Sequence, residues 1–272
     1  MQDLNLSALA MQIKNAQDEA RQIEPFTARH RDFDIPTAYE VARLVHEARL
    51  AEGATAVGRK IGFTNPQMWS LYGVDEPVWA HVYDRSVIYL SESGSDCPVA
   101  NFTEPKIEPE IVVHFHTAPP AGAGAEEILT CIDWVAHGIE IVQSHFPDWK
   151  FKAADTIADA ALHATLLVGE RCELTRLGPR PLAALRDFTV ELACDGRVCE
   201  RGRGANALGS PLKAVGHLIS VLAGQQNAPP LQAGELVTTG TLTAALPISP
   251  GQRWRTSIDG IALPGLSVRI TR

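Results

Sequence analysis

Glu108 and Glu110 stand two residues apart in Lys106-Ile107-Glu108-Pro109-Glu110-Ile111-Val112-Val113, a run otherwise apolar and rich in β-branched residues. On a strand, residues i and i+2 face the same side, so the two carboxylates project together, roughly 6.5 to 7 Å apart. Two like charges in apolar surroundings are costly unless something neutralises them. A hard divalent cation with oxygen ligands, Mg²⁺ or Mn²⁺, does this well. Glu140, in Ile139-Glu140-Ile141-Val142, is a further acid in an apolar run and the best third ligand. Three carboxylates leave a cation with open positions for water and substrate. The competing reading is an edge strand whose glutamates are solvated, with Lys106 as a neighbouring ion pair. His114 and His116 share a face with Glu110, so a mixed His/Glu site is a variant.

Other motifs carry weaker signals. Asp155 and Asp159 in Asp155-Thr156-Ile157-Ala158-Asp159 share one face of a helix. They either hold a water, a lysine or an outer contact of the site, or simply charge a helix N-terminus. Lys60 lies between Gly58 and Gly62, where backbone and ligand can approach closely. It either pairs with a substrate carboxylate or is an exposed strand lysine. The spacing is not that of a P-loop. Thr238-Thr239-Gly240-Thr241 offers hydroxyls and backbone N–H groups to an anion, or is an ordinary strand end. His163 follows Asp159 by four and is a minor general-base candidate. No nucleophile elbow or HExxH motif is present.

Helices and strands must position these groups. Leu6, Leu9, Ile13, Ala16 and Ala20 recur at helical spacing. A second helix is expected over Pro36–Leu50, with Thr37 and Glu40 as a capping box and Gly53 as the stop. From about Ala56 onward, strands are predicted at Val57–Phe63, Val82–Leu90, Ile107–His116, Gly138–Gln143, Ala164–Gly169, Phe188–Cys194, Arg197–Arg201, Glu235–Thr239, Arg253–Ile258 and Leu266–Ile270. Helices are predicted at Glu126–Val135 and Pro211–Ala223, the latter capped by Ser210. Asp195-Gly196 reads as a hairpin turn. The organisation is an N-terminal helical segment, 1–55, and a β-rich catalytic unit, 56–272, of the α+β class.

The chain has 272 residues and a formal net charge of -8, which argues against nucleic acid or an anionic membrane as partner. No run of apolar residues is long enough to span a bilayer. Met1-Gln2-Asp3-Leu4-Asn5 has no basic, apolar leader pattern. The cysteines, Cys97, Cys131, Cys172, Cys194 and Cys199, show no CxxC spacing, which reads as free thiols in a reducing cytoplasm.

Seven segments in order resemble the 2-keto-4-pentenoate hydratase / 2-oxohexenedioate decarboxylase branch of the fumarylacetoacetate hydrolase superfamily. They are Gly58–Thr64, Gly73-Val74-Asp75-Glu76-Pro77, Lys106–Ile111, Ile139–Val142, Asp155–Asp159, Leu208-Gly209-Ser210-Pro211-Leu212 and Thr239-Gly240-Thr241. The resemblance implies a mixed β-roll core and a homo-oligomer. It implies Mg²⁺ or Mn²⁺ on Glu108, Glu110 and Glu140, and a 2-oxo acid or dienol substrate. Lys60 would bind the carboxylate or polarise the oxo group, Asp75 or Glu76 would act as acid/base, and Asp159 would orient water or Lys60. Thr239, Gly240 and Thr241 would line the substrate. The implied reaction is hydration of a 2-hydroxy-2,4-dienoate in aromatic catabolism. Decarboxylation of a 2-oxo-enedioate and C–C hydrolysis of an acylpyruvate, with His163 as base, are the rivals, and a non-catalytic relative is the remaining alternative. The chain departs from the family pattern at Ala160-Ala161-Leu162-His163 and at Trp79-Ala80, so Trp79 and Leu162 are expected to reshape the pocket.

Overall fold

The structure is a computed structural model that describes residues 4–65, 69, 73–90 and 95–272. Met1–Asp3 and Pro66, on which part of the sequence reading rests, lie outside the described residues. Helices α1 (Leu6–Asp18), α2 (Phe26–Arg29) and α3 (Ile35–Ala51) open the chain. The first strands are β1 (Ala56–Gly62), β2 (Val78–Tyr83), β3 (Val87–Tyr89), β4 (Ser95–Pro98) and β5 (Lys106–Phe115). Helix α4 (Ala125–Thr130), strand β6 (Ile132–Val142), helix α5 (Ala153–Ala158), and strands β7 (His163–Val168) and β8 (Cys172–Glu173) follow. The remainder is α6 (Pro181–Asp187), β9 (Thr189–Cys194), β10 (Arg197–Arg203), α7 (Pro211–Gly224), β11 (Leu236–Thr238), β12 (Leu246–Pro247), β13 (Arg253–Asp259) and β14 (Ser267–Thr271).

The main sheet runs β2-β1-β11-β5-β6-β7-β3, with β12 beside β5 and β8 beside β6. Its two ends are consecutive in sequence, because only the 3-10 turn Asp84–Ser86 separates β2 from β3. Four residues reach at most ~14 Å, whereas seven flat strands would set those ends about 29 Å apart. The sheet therefore curls into a roll. Val82, Val112, Ala136, Leu166, Val168 and Leu236, drawn from strands across its width, meet on one face. The other face is covered by α7, through Val215, Leu218 and Leu222 against Ile111, Val113 and Val237. Farther along, Ile107, Ile139 and Ile141 pack on the second sheet, β10-β9-β13-β14-β4, through Leu192, Trp254 and Ile270.

The N-terminal helices do not stand apart. Leu9, Ile13, Phe26, Val41 and Val45 share one apolar cluster with Val78, Ala80, Phe146, Ile157 and Ala161. Hydrogen bonds fasten the same junction: Gln17 donates to Asp159 at 3.1 Å, and Thr27 donates to Asp155 through its N–H at 3.0 Å and its hydroxyl at 2.6 Å.

The expected elements recur with local corrections. The cap of α3 is Asp34, which accepts from Thr37 N at 2.9 Å, rather than a Thr37/Glu40 box. Gly53, at φ 82°, ends that helix in the left-handed region as expected. The predicted strand Val82–Leu90 is two strands split by the 3-10 turn, and the predicted helix Glu126–Val135 stops at Thr130 because β6 already begins at Ile132. Pairing of β6 along β5 from Ile132 outweighs the helical preference there. Ser210 caps α7, accepting from Lys213 N at 3.2 Å. Asp195 and Gly196 both have positive φ, the hairpin-turn geometry. All five cysteines are unpaired.

Candidate metal centre and active site

The long antiparallel pairing of β5 with β6 builds the centre. Glu108 lies opposite Glu140, and Glu110 lies opposite Gly138, all on the inner face of the roll. A Cβ on Gly138 would sit 2.8 Å from Val112 Cγ2, so only glycine leaves the face open here. One oxygen from each of Glu108, Glu110 and Glu140 falls within 4.8 Å of the other two. Glu110 and Glu140 are fully buried, while Glu108 is partly open to solvent.

Each carboxylate is held differently. Glu110 Oε2 accepts from Gly240 N at 2.8 Å and from the Thr238 hydroxyl. Glu140 Oε1 faces His163 Nδ1 at 2.7 Å. Glu140 Oε2 is 3.1 Å from Lys60 Nζ, its ion-pair partner, and has no other partner. Burial pushes the Glu108 carboxyl up to about 7 and the Glu110 carboxyl well above the ordinary range, and in both Glu140 adds to the rise. Burial also acts to raise Glu140, but Lys60 and His163 outweigh it and hold that carboxyl low. Three buried or half-buried carboxylates facing one ammonium leave negative charge uncompensated, and one Glu140 oxygen has no partner but Lys60. An all-oxygen set of this kind fits a Mg²⁺ or Mn²⁺ ion.

Lys60 comes from β1, in register with Thr238 of β11 and Ala80 of β2. Its side chain is buried, donating to Ala161 O at 2.9 Å. Burial acts to lower its pKa, but Glu140, Glu108 and Glu110 raise it above the ordinary value, so it stays an ammonium. The carbonyl that receives it belongs to a strained turn. Ala160, Ala161 and Leu162 have φ of 51°, 49° and 67°, three non-glycine residues in succession in the left-handed region. Each such residue costs on the order of 1 kcal/mol or more, and such strain persists only where packing enforces it. Leu162 is half-buried in this turn, directly before His163.

Several sequence candidates fall elsewhere. Trp79 pairs with Ile61, so its ring lies on the helix side of the sheet, stacked 5.7 Å from Tyr39 and bonded through Nε1 to Gln225 at 2.9 Å. Strand alternation puts Ala80, not Trp79, on the inner face. The Thr239 hydroxyl donates to Ile111 O at 3.0 Å and that of Thr241 to Thr243 O at 2.9 Å, so neither points at the carboxylates. Their neighbours Thr238 and Gly240 make those contacts instead. Asp159 accepts from His145 Nδ1, 2.8 Å away, and from Gln17, and is committed to the N-terminal junction rather than to Lys60. His163 has both ring nitrogens engaged, the second at 2.8 Å from Ser86 Oγ, which removes it as a free base. Asp75 and Glu76 are exposed on the loop entering β2, and among the described residues no hydrogen bond or ion pair joins either to the triad. Local desolvation and the Asp75 charge raise the Glu76 carboxyl. His114 pairs with Asp133 at 2.7 Å, His116 with Thr117 and Thr130, and Lys106 lies over the Trp149 ring, 3.7 Å from its centre. None of these joins the carboxylate set.

Ser86 and Ala161 were not legible from sequence, because a backbone carbonyl and a turn serine carry no motif. Thr238 had a signal as one of the hydroxyls before Gly240, and its pairing with Lys60 across β1 and β11 puts it on the Lys60 side.

Comparison with known proteins places these features in a family context. The model of the fumarylacetoacetate (FAA) hydrolase C-terminal family matches residues 64–266. A 2-keto-4-pentenoate hydratase from Burkholderia vietnamiensis (strain G4 / LMG 22486) is 30% identical over 270 residues, covering 99% of this chain and 98% of its own. A 4-oxalocrotonate decarboxylase from Pseudomonas sp is 30% identical over 227 residues, 84% of each chain. Among solved structures, 4-oxalocrotonate decarboxylase from Pseudomonas putida G7, complexed with magnesium and adipate, superposes with a TM-score of 0.89 at 27% identity over 97% of both chains.

Proposed function

This chain belongs to the fumarylacetoacetate hydrolase family, and we propose that it is a lyase adding water to a 2-hydroxy-2,4-dienoate, with Mg²⁺ or Mn²⁺ on Glu108, Glu110 and Glu140. The product is a 4-hydroxy-2-oxo acid, formed in the catabolism of aromatic rings. The observation that carries this reading is the three-carboxylate cluster beside the buried ammonium of Lys60. The full-length likeness to a 2-keto-4-pentenoate hydratase supports it.

The bound cation supplies charge neutralisation for an enolate at the 2-oxo group. Lys60 provides a fixed positive charge for the substrate carboxylate, held in place by Ala161 O and Glu140. In hydration the 2-hydroxyl loses a proton as C5 gains one; water oxygen then bonds to C4 while a proton goes to C3, and one water is consumed. The proton carrier proposed in this scheme is Glu76, on the exposed loop entering β2, where desolvation first and the Asp75 charge second raise its carboxyl. The apolar roll interior, lined by Val112, Ala136 and Leu166, limits stray water.

Decarboxylation of a 2-oxo-enedioate is the second reading, favoured by the 0.89 TM-score against a 4-oxalocrotonate decarboxylase. It passes through the same enolate as CO₂ leaves. C–C hydrolysis loses its base, because His163 is committed on both nitrogens. A cytoplasmic homo-oligomer is the form in which this activity is expected, checked by light scattering of the purified protein. The function is tested by offering the protein and Mg²⁺ a dienoate, an oxo-enedioate and an acylpyruvate and weighing the products. Gain of water supports hydration; loss of CO₂ transfers the assignment to decarboxylation; no turnover of any contradicts the enzyme reading.

A further inference from the structure

His163 begins β7, and its ring is almost enclosed, with 5% of the side chain exposed. Its Nδ1 lies 2.7 Å from Glu140 Oε1 and its Nε2 2.8 Å from Ser86 Oγ. An ionised carboxylate only accepts hydrogen bonds, so Nδ1 carries the hydrogen that Glu140 Oε1 receives, while Nε2 meets the Ser86 Oγ. Ser86 is itself anchored: its carbonyl accepts from Thr165 Oγ1 at 3.0 Å, and its hydroxyl donates to Tyr83 O at 3.0 Å. The turn that carries it spans Asp84–Ser86 and joins the two ends of the curled sheet.

One oxygen of Glu140 is thereby taken. The other, Oε2, is buried, meets only Lys60 and faces the carboxylate cluster. A carboxylate free to rotate would offer either oxygen, or both, and would lose that choice as entropy on binding a cation. Here the choice is already made.

We propose that Ser86 and His163 form a positioning relay that fixes Glu140 and reserves its Oε2 for the divalent cation. Neither residue touches substrate; both act through Glu140, as groups bonded to metal-ligating side chains generally do. The relay rests on the metal reading given above. It also ties the carboxylate cluster to the closure of the roll, because Ser86 lies in the link between β2 and β3.

Mn²⁺ titration tests this, followed by calorimetry and by the electron paramagnetic resonance of free and bound Mn²⁺. The proteins compared are wild type, His163→Ala, His163→Asn, Ser86→Ala and Glu108→Gln. Loss of the His163 contact is expected to weaken Mn²⁺ binding about 10- to 100-fold. His163→Asn, whose side-chain N–H reaches the same oxygen, restores most of it. Ser86→Ala weakens it several-fold and changes the bound Mn²⁺ line shape. Affinity within twofold of wild type for His163→Ala, or an Asn variant as weak as the Ala variant, overturns the relay. Should His163→Ala not fold, Ser86→Ala decides: weakened binding supports the relay and wild-type binding overturns it. Wild-type protein that binds no Mn²⁺, or Glu108→Gln that binds it undiminished, overturns the metal reading itself and the relay with it.

Discussion

Lys60 Nζ lies 3.1 Å from Glu140 Oε2, so the only cation inside the described carboxylate cluster rests against the Glu140 oxygen that no other group holds. This pair makes Lys60 both a counter-ion for the carboxylate cluster and a competitor for any divalent cation. Lys60→Met is therefore expected to lower turnover at least 100-fold while Mn²⁺ binds as tightly as in wild type or tighter. Steady-state kinetics and Mn²⁺ titration on the same preparation check both halves. Weaker Mn²⁺ binding in Lys60→Met would show that the ammonium supports the ligands rather than competing with them.

Removing charge from the triad should stabilise the metal-free protein. Burial and Glu140 both raise the Glu110 carboxyl, so its ionised form is a cost to the fold. Glu110→Gln is expected to melt higher than wild type in EDTA and to gain nothing from added Mg²⁺. Wild type should gain about 2.7 kcal/mol at 100 times the Kd. A variant that melts lower in EDTA and still responds to Mg²⁺ contradicts the ligand assignment.

Gly240 has φ 95°, and a Cβ there would lie 2.2 Å from Thr64 Oγ1. Gly240→Ala combines left-handed backbone strain with overlap, an expected loss of roughly 2 to 4 kcal/mol in urea unfolding. Its N–H also holds Glu110 Oε2, so cation affinity should fall together with stability.

Much of this was legible in the sequence, for a physical reason. Period-two alternation fixes which residues share a strand face, so Glu108, Glu110 and, once paired, Glu140 could be placed together. The same rule, applied to Trp79 and Thr239, puts both on the opposite face from Lys60, where family position and, for Thr239, hydroxyl chemistry had suggested otherwise. Asp155 and Asp159 looked like site residues because their spacing puts two acids on one helix face and the family resemblance gave Asp159 a role. Their partners, Thr27, Gln17 and His145, are distant in sequence and became visible only with the fold. The helix-to-strand change at Cys131 was hidden because the apolar run Ile128–Val135 satisfies both periods over a short window.

His81 sets an acid limit on stability. It stacks 3.7 Å from His46 beside Arg59, its Nδ1 is buried without a partner, and burial followed by the Arg59 charge pushes its pKa down to about 2. Trp79 and Tyr83 pack against its ring, and Glu235 pairs with Arg59. The folded protein keeps His81 neutral, while the unfolded chain takes up a proton below pH 6.5. Stability is thus full above 6.5 and falls as the pH drops from there toward 2, by at most about 1.4 kcal/mol per pH unit from this group. His81→Phe should flatten that slope in urea unfolding between pH 6.5 and 4; an unchanged slope contradicts it.

The most direct test of the central claim is the mass of the product formed from a 2-hydroxy-2,4-dienoate in ¹⁸O-labelled water with Mg²⁺. Wild type is predicted to give a 4-hydroxy-2-oxo acid heavier by one labelled water, and Glu108→Ala to give none. Unlabelled product, or label incorporated equally by Glu108→Ala, would contradict metal-centred hydration.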